Sequence, residues 1–214
     1  SGRKVKLKDK LIQAYKDGAT RGLSFEPERE KNIQQLEEMG FPTIKDEEWK
    51  YTNLLPILKN DYQLSESFSE LASQSLEEYI LTDTDTYLVV FVNGQYSKEL
   101  SSVDDKHARI CSLAEAEEKE PEILKKYWGS CLPENPDSLV ALNSALSKNG
   151  AFIYVPKNKL VEKTIQILYI TNEVSADLFL QTRNLIVVEE NSQVQITERH
   201  QNFDSKEVFT NALT

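Results

Sequence analysis

A chain of 214 residues with 28% charged and 39% hydrophobic side chains has enough apolar content for one large buried core or two small ones, which excludes an extended disordered tail. Its net charge of −10 argues against nucleic acid as a partner, because phosphate binding needs clustered Lys and Arg. No run approaches the roughly 18 apolar residues that would span a bilayer, and no hydrophobic leader precedes a small-residue cleavage site, so no membrane partner is expected.

The charge is uneven. Residues 1–22 carry seven Lys or Arg against two Asp, which leaves −15 on the remainder. Leu7, Leu11 and Tyr15 recur at helical spacing within this basic start, and predict an ordinary helix with a solvated face. In the next helix Pro27 suits the first turn, Ile33, Leu36 and Met39 form a narrow apolar stripe, and Gly40 with Phe41 fits a Schellman ending. Thr43 followed by Asp46 then resembles a short capping box. It turns Trp49 back towards the helix pair, as a structural anchor with its acidic neighbours facing water, a direct binding role being the alternative.

Phe68, Leu71, Leu76 and Tyr79 predict a further helix over 65–80. "TYLVVFVNGQYSKEL" predicts a hairpin across Asn93-Gly94, the favoured pair for a type I′ turn. "ARICSL" reads as a strand. Ser112 and Glu115 give the capping-box signature of an acidic helix, which Pro121 interrupts before a second one runs through Leu124 to Trp128. Gly129 ends that one. "DSLVALNSALSKNG" predicts a third, closing on Asn149-Gly150.

From residue 151 the pattern changes. "AFIYVP", "TIQILYIT", "DLFLQT", "NLIVVEE" and "VQITERH" are short β-rich runs parted by small polar bends, with no helix-length segment and no strict hairpin signal between them. Bends in place of hairpins favour stacked coils over an antiparallel sandwich. "FIYVPKNKLVEKTIQI" and "LIVVEENSQVQITE" share one grammar of run, bend and strand. The expected fold is α+β: a mainly helical region with a small hairpin over 1–149, then the first rungs of a β-helix over 150–214.

The chain carries no phosphate loop, no GxGxxG after a strand, no GxSxG and no HExxH. His107, Cys111, Cys131 and His200 are scattered, whereas structural zinc wants four ligands in short paired spacings and an iron–sulfur cluster normally wants four thiolates. No metal or cofactor is therefore expected in this chain. Two cysteines make no disulfide framework and fit a reducing cytoplasm. Glu189, Glu190 and Glu198 could serve as acid and base, but in so acidic a chain they read as solvated charges. No catalytic, cofactor-binding or metal residue is assigned.

"GFPTIKDEEWKYTNL" resembles the N-terminal signature of the SufB/SufD family, in which Gly-Phe/Leu-Pro follows a helix and leads to Glu-x-Trp-Lys/Arg-Tyr-Thr. "VVFVNGQYSKELS", "LVALNSALSKNGAFIYVPKNKLVEKTIQI" and "TRNLIVVEENSQVQITE" follow in the family's order, and the Asn-Gly-x-Tyr segment is closer to the SufD branch. The resemblance implies a non-catalytic scaffold subunit of the SufBCD complex for iron–sulfur cluster assembly, with SufB and the SufC ATPase as partners. It implies that the β-helix is right-handed and that the cluster is handled by the full complex. Residue 1 is Ser, the only Met is Met39, and "EVFTNALT" closes on neither cap nor turn, so the natural chain is expected to continue into a SufC-docking region. No ligand or catalytic residue carries over. Two other classes stand beside this one: a secreted-type β-helix enzyme acting on acidic polysaccharide, and a protein-binding module unrelated to iron–sulfur chemistry. The first needs clustered Asp, Lys or Arg on one rung face and a secretion signal, and neither is visible. An uncovered last rung, with Leu185, Ile186, Val188, Val194 or Ile196 open, predicts self-association.

Overall fold

The computed structural model describes residues 7–18, 26–39, 63–64, 85–128, 130, 140–141, 143–144, 147, 149–171, 178–202 and 208–213. The chain is a mixture of helices and sheets, with four described helices and ten described strands. The expectations for Gly40, Trp49, the helix over 65–80, Gly129 and Cys131 fall outside the described residues.

Helix α1 (Leu7–Lys16) and helix α2 (Glu26–Met39) form where periodicity places them. Leu11 and Ile12 are buried on the first, and Ile33 and Leu36 on the second. Lys16 pairs with Glu37 across the two. Pro27 sits in the first turn of α2, where its missing N–H removes no intrahelical bond.

Strand β1 (Gln63–Leu64) is short. β2 (Thr86–Val92) and β3 (Gln95–Tyr96) form the hairpin, with Asn93 at φ 48° and Gly94 at φ 81°. Two consecutive positive φ values are what a type I′ turn demands, which is why Asn-Gly is legible in sequence. β4 (Arg109–Ser112) leads into α3 (Leu113–Lys119), whose first turn is capped by Ser112 Oγ accepting from the Glu115 N–H at 3.1 Å. α4 (Pro121–Tyr127) follows with Pro at its start.

Six strands complete the fold: β5 (Ala151–Val155), β6 (Thr164–Thr171), β7 (Leu178–Arg183), β8 (Leu185–Val188), β9 (Ile196–Asn202) and β10 (Val208–Leu213). Each of the first three pairs in parallel with the strand three places further on: β5 with β8, β6 with β9, β7 with β10. β4, β2 and β1 add to the same sheets from the other side, β4 antiparallel to β5 and the others parallel. The three sheets run β1-β7-β10, β3-β2-β6-β9 and β4-β5-β8. β1 and β10 carry no clear strand signal in the sequence pattern.

Strands buried on both faces read as continuous apolar runs rather than alternating ones. The inward cluster joins Val89 and Phe91 of β2, Ile153 and Val155 of β5, and Ile165, Ile167 and Tyr169 of β6. Each fully buried Ile or Val contributes roughly 1.5–3 kcal/mol. On the other face of β2 and β6, Leu88, Val90, Val92, Leu168 and Ile170 form a second cluster. α3 and α4 cover the outer face of β5, where Cys111, Ala116, Leu124 and Phe152 pack together.

Candidate functional site

Two polar arrangements stand out against this apolar frame. The first is the joint where α2 meets the stacked strands. β7 passes to β8 through a single residue, Asn184, whose buried side chain satisfies polar groups on β5 and β6: its Oδ1 accepts from the Ala151 N–H at 2.8 Å, and its Nδ2 donates to Tyr169 Oη at 2.6 Å. Beside it Arg183 is only 5% exposed. Its Nη1 lies 3.1 Å from Glu28 Oε1 on α2, and its guanidinium carbon lies 3.8 Å from the centre of the Trp128 ring. Burial pulls this guanidinium down from its usual range, and the Glu28 carboxylate pulls the other way. Arg29 Nη1 donates to Ser147 O at 2.7 Å, and Asn143 Nδ2 to Thr182 O at 2.6 Å. Gly150 is fixed here by close approach, since an added Cβ would lie 1.6 Å from Arg183 O.

The second arrangement is the inward row of β9. Register places Ile196 beside Ile165, Glu198 beside Ile167 and His200 beside Tyr169. The rings of Phe91, Tyr169 and His200 form a column across three strands, with centroids 5.3 and 4.5 Å apart. Burial pushes the Tyr169 phenol up to about 12. A row that is wholly apolar on β6, apart from its phenol, thus becomes acidic and basic on β9. The outward row changes likewise, from Gln166, Leu168 and Ile170 to Thr197, Arg199 and Gln201.

Among the described residues the candidate ligands do not converge. Cys111 is buried beneath α3 and α4, and burial, with Glu115 adding, pushes its thiol up to about 11, so it is a packing residue rather than a nucleophile. His107 lies in a turn whose own N–H bonds to Asp105 Oδ1 at 2.6 Å. His200 is on β9, and Cys131 is outside the described residues. Among the described residues no group of three or more His, Cys, Asp or Glu could hold a metal ion. Glu189 and Glu190 lie at the bend after β8, where they meet the Lys157 N–H at 3.1 Å and Lys157 Nζ at 3.3 Å, so they tie neighbouring bends together. Glu198 is exposed, as read from composition, but its place on the inward row follows only from register. Arg183 and Asn184 were not singled out by sequence reasoning; the available signal was a charged and an amide residue wedged between two apolar runs.

Among the described residues no helix is long and apolar enough to cross a membrane. The family model for the SufBD protein N-terminal region matches residues 10–167. The chain is 28% identical over 198 residues to the iron–sulfur cluster assembly SufBD family protein slr0076 of Synechocystis, covering 90% of this chain and 43% of that protein. It is 30% identical over 138 residues to the chloroplastic SufBD family protein ABCI8 of Arabidopsis thaliana, covering 64% of this chain and 24% of that one. The ycf24 protein of Pyropia yezoensis, of the same description, is 25% identical over 204 residues, covering 88% and 41%. The chain spans less than half the length of these relatives. With the model matched over most of its residues, the chain belongs to the SufBD family.

Proposed function

We propose that this chain is the N-terminal part of a SufD-type scaffold subunit, without catalytic activity of its own, acting in a SufBCD complex that assembles iron–sulfur clusters. The observation that carries this reading is the family match over residues 10–167, together with relatives whose names place them in iron–sulfur cluster assembly. In this reading residues 1–149 form the N-terminal mixed region, and 150–214 begin a right-handed parallel β-helix. Parallel pairing of each strand with the third one onward supports that assignment. The partners are a SufB-type subunit and a SufC-type ATPase, and the compartment is the cytoplasm. Iron and sulfide are cargo of the whole complex; no residue of this chain is assigned to hold them. An inert buried Cys111 agrees with that, because thiolates at handling sites need access and a depressed pKa.

Deleting the gene for this chain and measuring iron–sulfur enzyme activity in cell extracts tests the reading. Loss of activity across several cluster-dependent enzymes, restored by the gene, is expected. Normal cluster enzymes in the deletion strain would overturn it. The purified chain is also expected to hydrolyse no ATP and to keep no cluster after anaerobic reconstitution and desalting.

A further inference from the structure

We propose that helix α2 is a detachable strap, latched onto the stacked strands by Arg183 and able to open while the strands beneath stay folded. The chemistry of the joint carries this. Two contacts across it link residues far apart in sequence: Arg183 with Glu28, 155 residues away, and Arg29 with Ser147 O, 118 residues away. Both arginines are buried, Arg183 at 5% and Arg29 at 6% exposure. Taking guanidinium and carboxylate out of water costs much of what their attraction returns, so such pairs fix geometry more than they add stability. Ser147, whose carbonyl accepts from Arg29, has a buried hydroxyl without a hydrogen-bond partner among the described residues. Such a group opposes closure if opening lets water reach it.

The strand stack is of a different kind. Phe152, Ile153, Ile165 and Ile167 are completely buried in its clusters, and their backbones are held in ladders on both sides. α2 itself carries few apolar side chains: its sequence is EPEREKNIQQLEEM, with Ile33 and Leu36 as the buried apolar residues among those described. A helix held by solvatable ionic contacts over a self-sufficient sheet stack is expected at the low end of local stability. Opening would solvate Glu28 and Arg183, while the Arg183 guanidinium keeps its place on the Trp128 ring.

Hydrogen exchange read by mass spectrometry on the chain at neutral pH tests the strap. The amides of 30–38 are expected to exchange at least roughly 100-fold faster than those of 165–170, in the manner of a local opening. Arg183→Lys, which keeps charge but loses the planar fork, should speed exchange in 30–38 by roughly tenfold and leave 165–170 unchanged. Glu28→Gln sits on the strap itself and should do the same without touching the stack, which keeps the test decisive if Arg183→Lys does not fold. Exchange of both segments at one common rate, or variants that accelerate both equally, would overturn the proposal and make the joint part of a single cooperative unit.

Discussion

Asn191 lies directly against Asn158, 33 residues earlier in the chain, with its Nδ2 donating to Asn158 Oδ1 at 2.8 Å. Both residues have positive φ, 58° and 59°. The same bend is thus built twice, and the two copies are stitched together. The Lys159 N–H donates to Ser192 Oγ at 3.0 Å, Ser192 Oγ donates to Pro156 O, and Thr164 Oγ1 bonds Gln195 Oε1 at 3.0 Å. Asn is tolerated in the left-handed region because its short side chain bonds locally, whereas Ala there is strained. Asn158→Ala and Asn191→Ala should each cost about 1–2 kcal/mol, while Asn158→Gly should stay within about 0.5 kcal/mol because glycine takes that φ freely. Urea melts of the three variants check this. Equal losses for Ala and Gly would assign the effect to the amide pair and not to the backbone.

That bend was legible from "VPKNKLVEK" and "VVEENSQVQ" as a shared grammar, because a polar turn between apolar runs has a local cause. The Asn93-Gly94 hairpin and the Ser112 cap were legible for the same reason. Strand pairing was not, since the partners of β6 lie on β2 and β9, far away in sequence. Which row faces inward depends on register, and a slip of one residue would reverse it, so the place of Glu198 could not be read from composition. The joint was hidden most fully: Glu28 and Arg183 are ordinary charged residues until folding brings them together.

Gly150 has no room for a side chain. Its Cα faces the Arg183 carbonyl, and a methyl there would also meet Leu113 Cδ1 at 2.7 Å. The backbone on this side is pinned, because Arg183 N–H donates to Asn149 O at 3.0 Å and Leu113 N–H donates to Gly150 O at 2.9 Å. The neighbour cannot retreat without breaking ladder bonds. Gly150→Ala should therefore destabilise by about 3 kcal/mol or more, at the upper end of overpacking effects. Asn149→Ala gives the control, since it changes the adjacent residue without adding a Cβ at the point of contact. If Gly150→Ala melts within a degree or two of the parent, the close approach is not as tight as described.

Alkaline pH should destabilise the fold in two steps. The Cys111 thiol, ordinarily near 9.0, is pushed up to about 11 by burial. The Tyr169 phenol, ordinarily near 10.0, is pushed up to about 12 by burial, with the Asn184 hydrogen bond opposing. Both stay protonated in the fold while the unfolded chain releases its protons, so stability falls wherever the unfolded state binds fewer. The contribution of Cys111 is complete below about pH 9 and is lost between about 9 and 11; that of Tyr169 is lost between about 10 and 12. Each loss is of order 2–3 kcal/mol at most. Urea melts at about pH 8, 9.5 and 10.5 should show a falling midpoint that Cys111→Ala flattens early and Tyr169→Phe flattens late. A decline of equal slope in all three proteins would put the alkaline sensitivity elsewhere.

Self-association should run through the stacked edges, favoured at β8 and opposed at β9. β8, β9 and β10 each stand at an edge of their described sheets, and unpaired strand edges are templates for another chain. Val188, at the end of β8, is 43% exposed, which leaves an apolar side chain on a strand with one partner, β5, among the described residues. β9 is defended differently. Glu198 stands on its inward row and Arg199 on its outward row, and an inward charge would be desolvated by any strand stacked over it. Val188→Lys should therefore weaken dimers seen by sedimentation at several concentrations, and Glu198→Val should strengthen them, each by roughly tenfold in dissociation constant if the changed side chain is covered in the contact. The two substitutions act in opposite directions only if the stacked edges are the contact. A chain that stays monomeric after Glu198→Val would show that the inward carboxylate is not what keeps this end apart.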